Sequence, residues 1–73
     1  MHIKVNEQTI EIFAGARVKD VLRKYSRAEL ALVRKNKKKV TDPHGHEVGL
    51  DGELSNGEEL YIEARAAAGE SRS

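Results

Sequence analysis

The first twelve residues alternate between apolar and polar side chains. Ile3 and Val5 are separated by one polar residue, and Ile10 and Ile12 repeat this spacing after the segment Asn-Glu-Gln. A period of two places successive side chains on opposite faces of a strand. Because asparagine tolerates the backbone angles of a tight turn, the pattern predicts a β-hairpin.

After the small residues at 14–16, the pattern changes to a helical period. Charged residues separate four apolar residues with the spacing i, i+3, i+4 and i+7, which are Val18, Val21, Leu22 and Tyr25. This spacing places the four side chains on one face of a helix. The segment therefore predicts an amphipathic helix of about two to three turns.

The next segment, "SRAEL", has a feature typical of helix starts. Ser26 precedes Glu29 by three residues, which is the spacing of a capping box, where two side chains accept hydrogen bonds from backbone amides. The following "ELALVRKN" also fits a strand, since its leucines alternate with alanine and valine. We favour a short second helix that begins near Arg27 and ends near Asn36.

The second half of the chain predicts three short strands. "KKVTDPHGHEVGL" is typical of two extended pieces around a turn from Asp42 to His46, because proline presets φ and glycine accepts a positive φ. The pairs "DG" and "NG" then mark two further turns. A last strand follows, with Leu60, Ile62 and Ala64 on one face.

The expected order is β-β-α-α-β-β-β, which corresponds to the α+β class. We predict a mixed sheet of four to five strands that packs on one main helix, with a second short helix. A chain of 73 residues has room for one domain and buries roughly 60% of its unfolded surface. The predicted core consists of Ile3, Val5, Ile10, Ile12, Val18, Val21, Leu22, Leu30, Val33, Val40, Leu54, Leu60 and Ile62.

Composition excludes several classes of function. The chain has no cysteine, and therefore no disulfide, thiolate nucleophile, iron–sulfur cluster or ordinary structural zinc site. Ser26 has no paired base in the sequence, and Glu58 and Glu59 point to opposite faces of a strand. We therefore expect a protein that is not an enzyme and needs no cofactor.

The chain also lacks the features of a membrane protein or a secreted one. No apolar run approaches the about 20 residues that span a bilayer, and the N-terminus lacks the order of a secretory signal. We expect a cytoplasmic monomer without a membrane partner.

The charge of the chain is uneven, with eleven Lys/Arg against five Asp/Glu in residues 1–42 and two against seven in residues 43–73. This asymmetry is compatible with a basic patch for an anionic partner.

Two segments resemble a known family. "HIKVNEQTIEIFAGARVKDVLRKYS" is similar to the opening of the ThiS/MoaD sulfur carriers, and "LSNGEELYI" to their entry into the last strand. The resemblance covers about residues 3–64 and implies a β-grasp, ubiquitin-like fold. It departs from the family in the longer segment 37–53 and in Phe13, where the family often has proline. The matching positions of the second segment are Leu54, Gly57, Glu58, Leu60 and Ile62.

The resemblance implies a non-enzymatic carrier or protein-interaction module, with an adenylating enzyme of the ThiF/MoeB type as partner. Such carriers end in Gly-Gly, and the corresponding positions here hold Ala68 and Gly69. Four residues follow Gly69, so a carrier function would require proteolysis after this glycine. The simpler interpretation is a β-grasp domain over residues 1–64 followed by a flexible tail over residues 65–73.

A basic run is the second candidate site. It could neutralise phosphates of RNA or DNA. This would resemble TGS domains, which are β-grasp domains associated with RNA-linked proteins. The alternative function is therefore a TGS-like module that binds RNA or a nucleotide. No aromatic residue interleaves with the run, which equally fits a solvated charged surface. Its basic residues are Arg34, Lys35, Lys37, Lys38 and Lys39.

Two further groups have less specific patterns. Lys4, Phe13 and Tyr61 fall on the strand faces opposite the core, so they form a possible partner surface. They could equally pack against segment 37–53. His44 and His46 could bind a metal weakly, but no thiolate or second ligand cluster supports this. We interpret this pair as part of a polar turn and predict no metal site.

Overall fold

The computed structural model describes residues 1–65, which form one five-stranded mixed sheet with two helices. The strand order across the sheet is β2-β1-β5-β3-β4. This arrangement confirms the α+β class and the β-grasp-like fold. The elements in chain order are β1 (His2–Val5), β2 (Gln8–Glu11), α1 (Val18–Tyr25), α2 (Arg27–Arg34), β3 (Lys38–Thr41), β4 (Glu47–Val48) and β5 (Glu59–Ala64).

The predicted hairpin is formed by β1 and β2, with Ile3 paired to Ile10. Asn6 and Glu7 occupy its two-residue turn, with φ angles of 50° and 70°. Positive φ at both central residues is the conformation that suits the twist of a hairpin. The Asn6 side chain also accepts a hydrogen bond from the Ile62 amide at 2.9 Å. The turn therefore connects the hairpin to β5.

Helix α1 begins against the loop that precedes β5. Its first two amides, from Val18 and Lys19, donate to the carbonyls of Gly52 at 3.0 Å and Leu50 at 2.9 Å. Asp20 accepts a hydrogen bond from the Arg17 amide at 3.0 Å, which completes the cap. Amides at a helix start lack partners within the helix, so these contacts explain why the helix begins at Val18.

Ser26 alone separates the two helices. Its amide donates to the Leu22 carbonyl at 2.7 Å, and its hydroxyl accepts a hydrogen bond from the Glu29 amide at 3.3 Å. The predicted cap of α2 is therefore confirmed. The second predicted hydrogen bond of the capping box, from the Ser26 amide to the Glu29 side chain, is wrong, because the Glu29 carboxylate binds Lys38. Helix α2 ends at Arg34, two residues earlier than expected.

The last strand lies in the middle of the sheet. It runs parallel to β1, with Leu60 beside Val5, and antiparallel to β3, with Ile62 beside Val40. Strand β1 ends at Val5, so among residues 1–65 β5 has a strand neighbour only on its β3 side beyond Leu60. The C-terminal half of β5 is consequently less covered than its first half.

The core confirms most of the predicted set, but Ile12, Val33, Leu54 and Ile62 are only half-buried. The first three lie after β2, in the last turn of α2 and in a loop, and Ile62 lies beyond the end of β1. Ala16 is fully buried, although its small side chain gave no signal in the pattern. The buried cluster is Ile3, Val5, Ile10, Val18, Val21, Leu22, Leu30, Val40 and Leu60.

Candidate functional site

The basic run at residues 34–39 is divided by a tight reversal of the chain. Asn36 has a φ of 66°, a left-handed conformation that asparagine tolerates better than most residues. Arg34 and Lys35 stand before this reversal, at the end of α2, whereas Lys38 begins β3 after it. Neighbours in sequence therefore belong to different elements.

The two lysines of β3 point to opposite faces of the sheet. Lys38 lies on the helix side, where its Nζ donates to the Glu29 carboxylate at 2.8 Å. Lys39 alternates to the other side, where its strand neighbour is Glu63. Each charge is next to a carboxylate-bearing residue of another element. The run does not form one continuous basic track along the surface.

Three arginines instead surround a cleft beside the two helices, which we call the arginine cleft. It has a volume of about 260 Å³ and is lined by Arg23, Arg27, Leu30, Ala31 and Arg34. Arg34 is the only residue of the basic run among them. Leu30 is buried, and Ala31 is small, so the arginines stand around an apolar floor.

The helix geometry explains why these arginines meet. Arg27 and Arg34 are seven residues apart on α2, which returns their side chains to one face after two turns. Arg23 reaches the same face from the last turn of α1, because only Ser26 separates the helices. The sequence reading missed Arg23 and Arg27, which resemble ordinary solvated charges. Arginine at i and i+7 around a leucine and an alanine is the pattern that could have revealed Arg27 together with Arg34. Arg23 belongs to the other helix and gives no such signal.

Few carboxylates lie close enough to neutralise the positive charges of the arginine cleft. Asp20 lies nearest, with 3.7 Å between one carboxylate oxygen and the Arg23 guanidinium. Within residues 1–65, neither Arg27 nor Arg34 forms an ion pair. Each guanidinium carries one positive charge and a fork of N–H donors. The cleft therefore offers an excess of positive charge and of hydrogen-bond donors.

The possible partner surface separates into two parts. Lys4 and Tyr61 lie on the open face of the sheet, opposite the buried side chains of β1 and β5. A hydrogen bond from the Tyr61 phenol to Glu59 at 3.1 Å, reinforced by the charge of that carboxylate, raises the pKa of Tyr61. Phe13 is 62% exposed, but it follows β2 near the start of β1, whereas Tyr61 lies just beyond the level of Val5 at the end of β1.

The histidine turn is built by Asp42. Its Oδ1 accepts hydrogen bonds from the amides of His46 and His44, both at 2.9 Å. The hydrogen bond from the His46 amide is the main cause that lowers the pKa of Asp42. Asp42 therefore acts on the backbone of the turn. Residues 1–65 contain no group of three or more His, Asp or Glu side chains that could hold a metal ion.

Strand β5 ends at Ala64, and Arg65 follows it. The Arg65 amide donates to the Lys37 carbonyl at 3.0 Å, and its guanidinium binds the Glu47 carboxylate. Arg65, which the sequence assigns to the tail, thus contacts β4 and the residue before β3. Ala68 and Gly69 lie outside the described residues.

Comparison with known proteins leaves the family open. No model of a known protein family matches the chain, and no curated protein is similar enough to count as a relative. The resemblance to ThiS/MoaD carriers therefore stays a prediction. Neither helix within residues 1–65 has the length and apolar character needed to cross a bilayer.

Proposed function

We propose that this chain is a non-enzymatic carrier or protein-interaction module of the ThiS/MoaD type. The observation that carries the proposal is the position of β5 between β1 and β3, with Arg65 after its end bound to Lys37, the residue before β3, and to Glu47 of β4. A terminal segment that must enter the active site of a partner benefits from a rigid base. Residues 66–73, which include Ala68 and Gly69, continue directly from this base.

The open face of the sheet supports the same proposal. Tyr61, the third of the six residues of β5, lies on this face, and so does Lys4 on the neighbouring strand β1. Tyrosine and charged residues on an uncovered sheet face are suited to a protein contact. The proposed partner is an adenylating enzyme of the ThiF/MoeB type.

The alternative function, a TGS-like module that binds RNA through residues 34–39, receives less support. Phosphate contacts along a nucleic acid require basic side chains that follow the backbone of the strand. Lys38 binds Glu29, and Lys39 lies on the other face of the sheet. The run therefore lacks the continuous arrangement that such a function needs.

Adenylation of a shortened chain tests the carrier function. The full chain, a form that ends at Gly69 and a form that ends at Ala68 would each be incubated with ATP and a ThiF/MoeB-like enzyme. We expect an acyl-adenylate, detected by mass, only for the Gly69 form, because a side chain next to the reacting carbonyl restricts its approach. A Gly-Gly-ended carrier serves as positive control. The carrier function is wrong if this control is adenylated and the Gly69 form is not.

A further inference from the structure

We propose that the arginine cleft binds a small phosphorylated compound through its phosphoryl groups. The cleft lies on the helices, and the proposed carrier function uses the end of β5, so the two proposals are independent. Arg23, Arg27 and Arg34 supply the charge and the donors. Leu30 and Ala31 supply the apolar floor.

The chemistry of the lining favours an oxyanion with high charge. A guanidinium presents a planar set of donors that matches phosphate in a bidentate manner. Arg27 and Arg34 have no carboxylate partner within residues 1–65. Three positive charges with one nearby carboxylate match a phosphoryl group, which carries a charge of about −1.5 to −2 and three acceptor oxygens.

The contacts of Arg23 leave it able to participate. Its distance of 3.7 Å to Asp20 is longer than a hydrogen bond. The other carboxylate oxygen of Asp20 accepts the Arg17 amide at 3.0 Å, so Asp20 is engaged in the cap of α1. Arg23 can therefore turn toward a bound anion without disrupting an existing hydrogen bond.

The size and lining of the cleft favour a compact ligand over a nucleic-acid strand. Its volume of about 260 Å³ is below the roughly 300–1,000 Å³ of pockets for drug-sized ligands. No aromatic side chain lines the cleft within the described part of the chain, so bases would find no stacking surface there. The neighbouring Lys38 is paired with Glu29 and does not extend the charge.

The number of arginines in the cleft favours two phosphoryl groups over one. Seven residues of helix correspond to about 10 Å along the axis between the backbones of Arg27 and Arg34. A diphosphate carries more negative charge and more acceptor oxygens than orthophosphate, so it can form more charge-assisted hydrogen bonds with the arginines of the cleft. Diphosphate is therefore the probe that we expect to bind more tightly.

NMR titration of the ¹⁵N-labelled full chain with sodium diphosphate tests the proposal. We expect chemical-shift changes concentrated in residues 23–34, saturation at millimolar diphosphate or below, and weaker binding of orthophosphate. No saturable change, or changes centred on residues 37–41, would overturn the site.

Charge-matched variants separate the cleft from general electrostatic attraction. R27Q/R34Q and K37Q/K39Q each remove two positive charges, but only the first pair lines the cleft. We expect R27Q/R34Q to weaken diphosphate binding by about tenfold or more, because two charged hydrogen-bond donors are lost. K37Q/K39Q should bind within about twofold of the parent in the same buffer, since these lysines do not touch the cleft. Equal weakening in both variants would contradict the proposal.

Two further experiments test whether the planar guanidinium donors are needed and whether the phosphate belongs to a small compound or to RNA. R27K/R34K keeps the charge but loses the planar donors, and we expect binding between that of the parent and of R27Q/R34Q. An eight-nucleotide single-stranded RNA should bind no more tightly than diphosphate at equal salt. Tighter RNA binding that K37Q/K39Q abolishes would replace the small-ligand site by a nucleic-acid surface. Dispersed NMR spectra of every variant would show that the fold is intact.

Discussion

The basic run and the arginine cleft share Arg34 but are organised in opposite ways. The run holds five basic residues within six positions, yet the reversal at Asn36 distributes them over a helix end and two faces of the sheet. The cleft collects arginines from positions 23, 27 and 34 at one place. Charge density along the chain is therefore a poor guide to charge density in space.

The difference follows from the period of each element. In a strand, neighbouring residues point to opposite faces, so Lys38 and Lys39 separate. In a helix, residues seven apart return to the same face, so Arg27 and Arg34 meet. A run of like charges favours such separation, because it lowers their mutual repulsion. In the cleft the arginine side chains stay close together and repel each other, and a bound anion would reduce this repulsion.

The largest effect should come from the floor of the cleft. Leu30→Ala removes a side chain that is 6% exposed, and we expect a loss of about 2–5 kcal/mol in the free energy of unfolding through lost burial and a cavity. Urea titration measures this loss. Leu32→Ala on the same helix is the control, since Leu32 is only half-buried. An equal loss of stability in both variants would show that Leu30 is no more part of the hydrophobic core than Leu32, so the floor of the cleft would not be a core residue.

A smaller effect should come from the reversal that divides the basic run. With φ at 66°, Asn36→Ala should be about 1 kcal/mol less stable than Asn36→Gly, because a Cβ disfavours the left-handed region and glycine does not. Urea titrations of both variants give this difference. Equal stability of the two variants would mean that residue 36 can leave this conformation, and the division of the run would then be less firmly set.

The smallest effect should come from the contact that occupies Lys38. Its side chain and that of Glu29 are 30% and 27% exposed, and a double-mutant cycle with Glu29→Gln and Lys38→Gln should give a coupling of about 0.2–1 kcal/mol. The cap at Ser26 is unaffected, because it uses the Glu29 amide. A coupling of zero in urea titrations would leave Lys38 available to the run and weaken the contrast with the cleft.

Much of the fold could be predicted from local patterns. The alternation in residues 2–12, the helical spacing from Val18 and the turn signals predict the element order that the structure has. The turn at Asn6 and the cap at Ser26 are correct because both depend on residues close in sequence. The degree of burial was harder to predict. The strand alternation predicts that Ile62 is buried, but it lies beyond the end of β1 and is only half-buried.

The candidate site was less predictable than the fold. The sequence alone determined the α+β class, the hairpin, helix α1 and the absence of cysteine chemistry, since period, turn residues and composition act locally. For α2 it favoured a helix but also fitted a strand, and the structure decided for the helix. Only the tertiary structure decided that Glu29 binds Lys38, that Phe13 and Tyr61 lie beyond opposite ends of β1, and that three arginines face one cleft. These outcomes depend on where one element ends relative to another, and no local period contains that information.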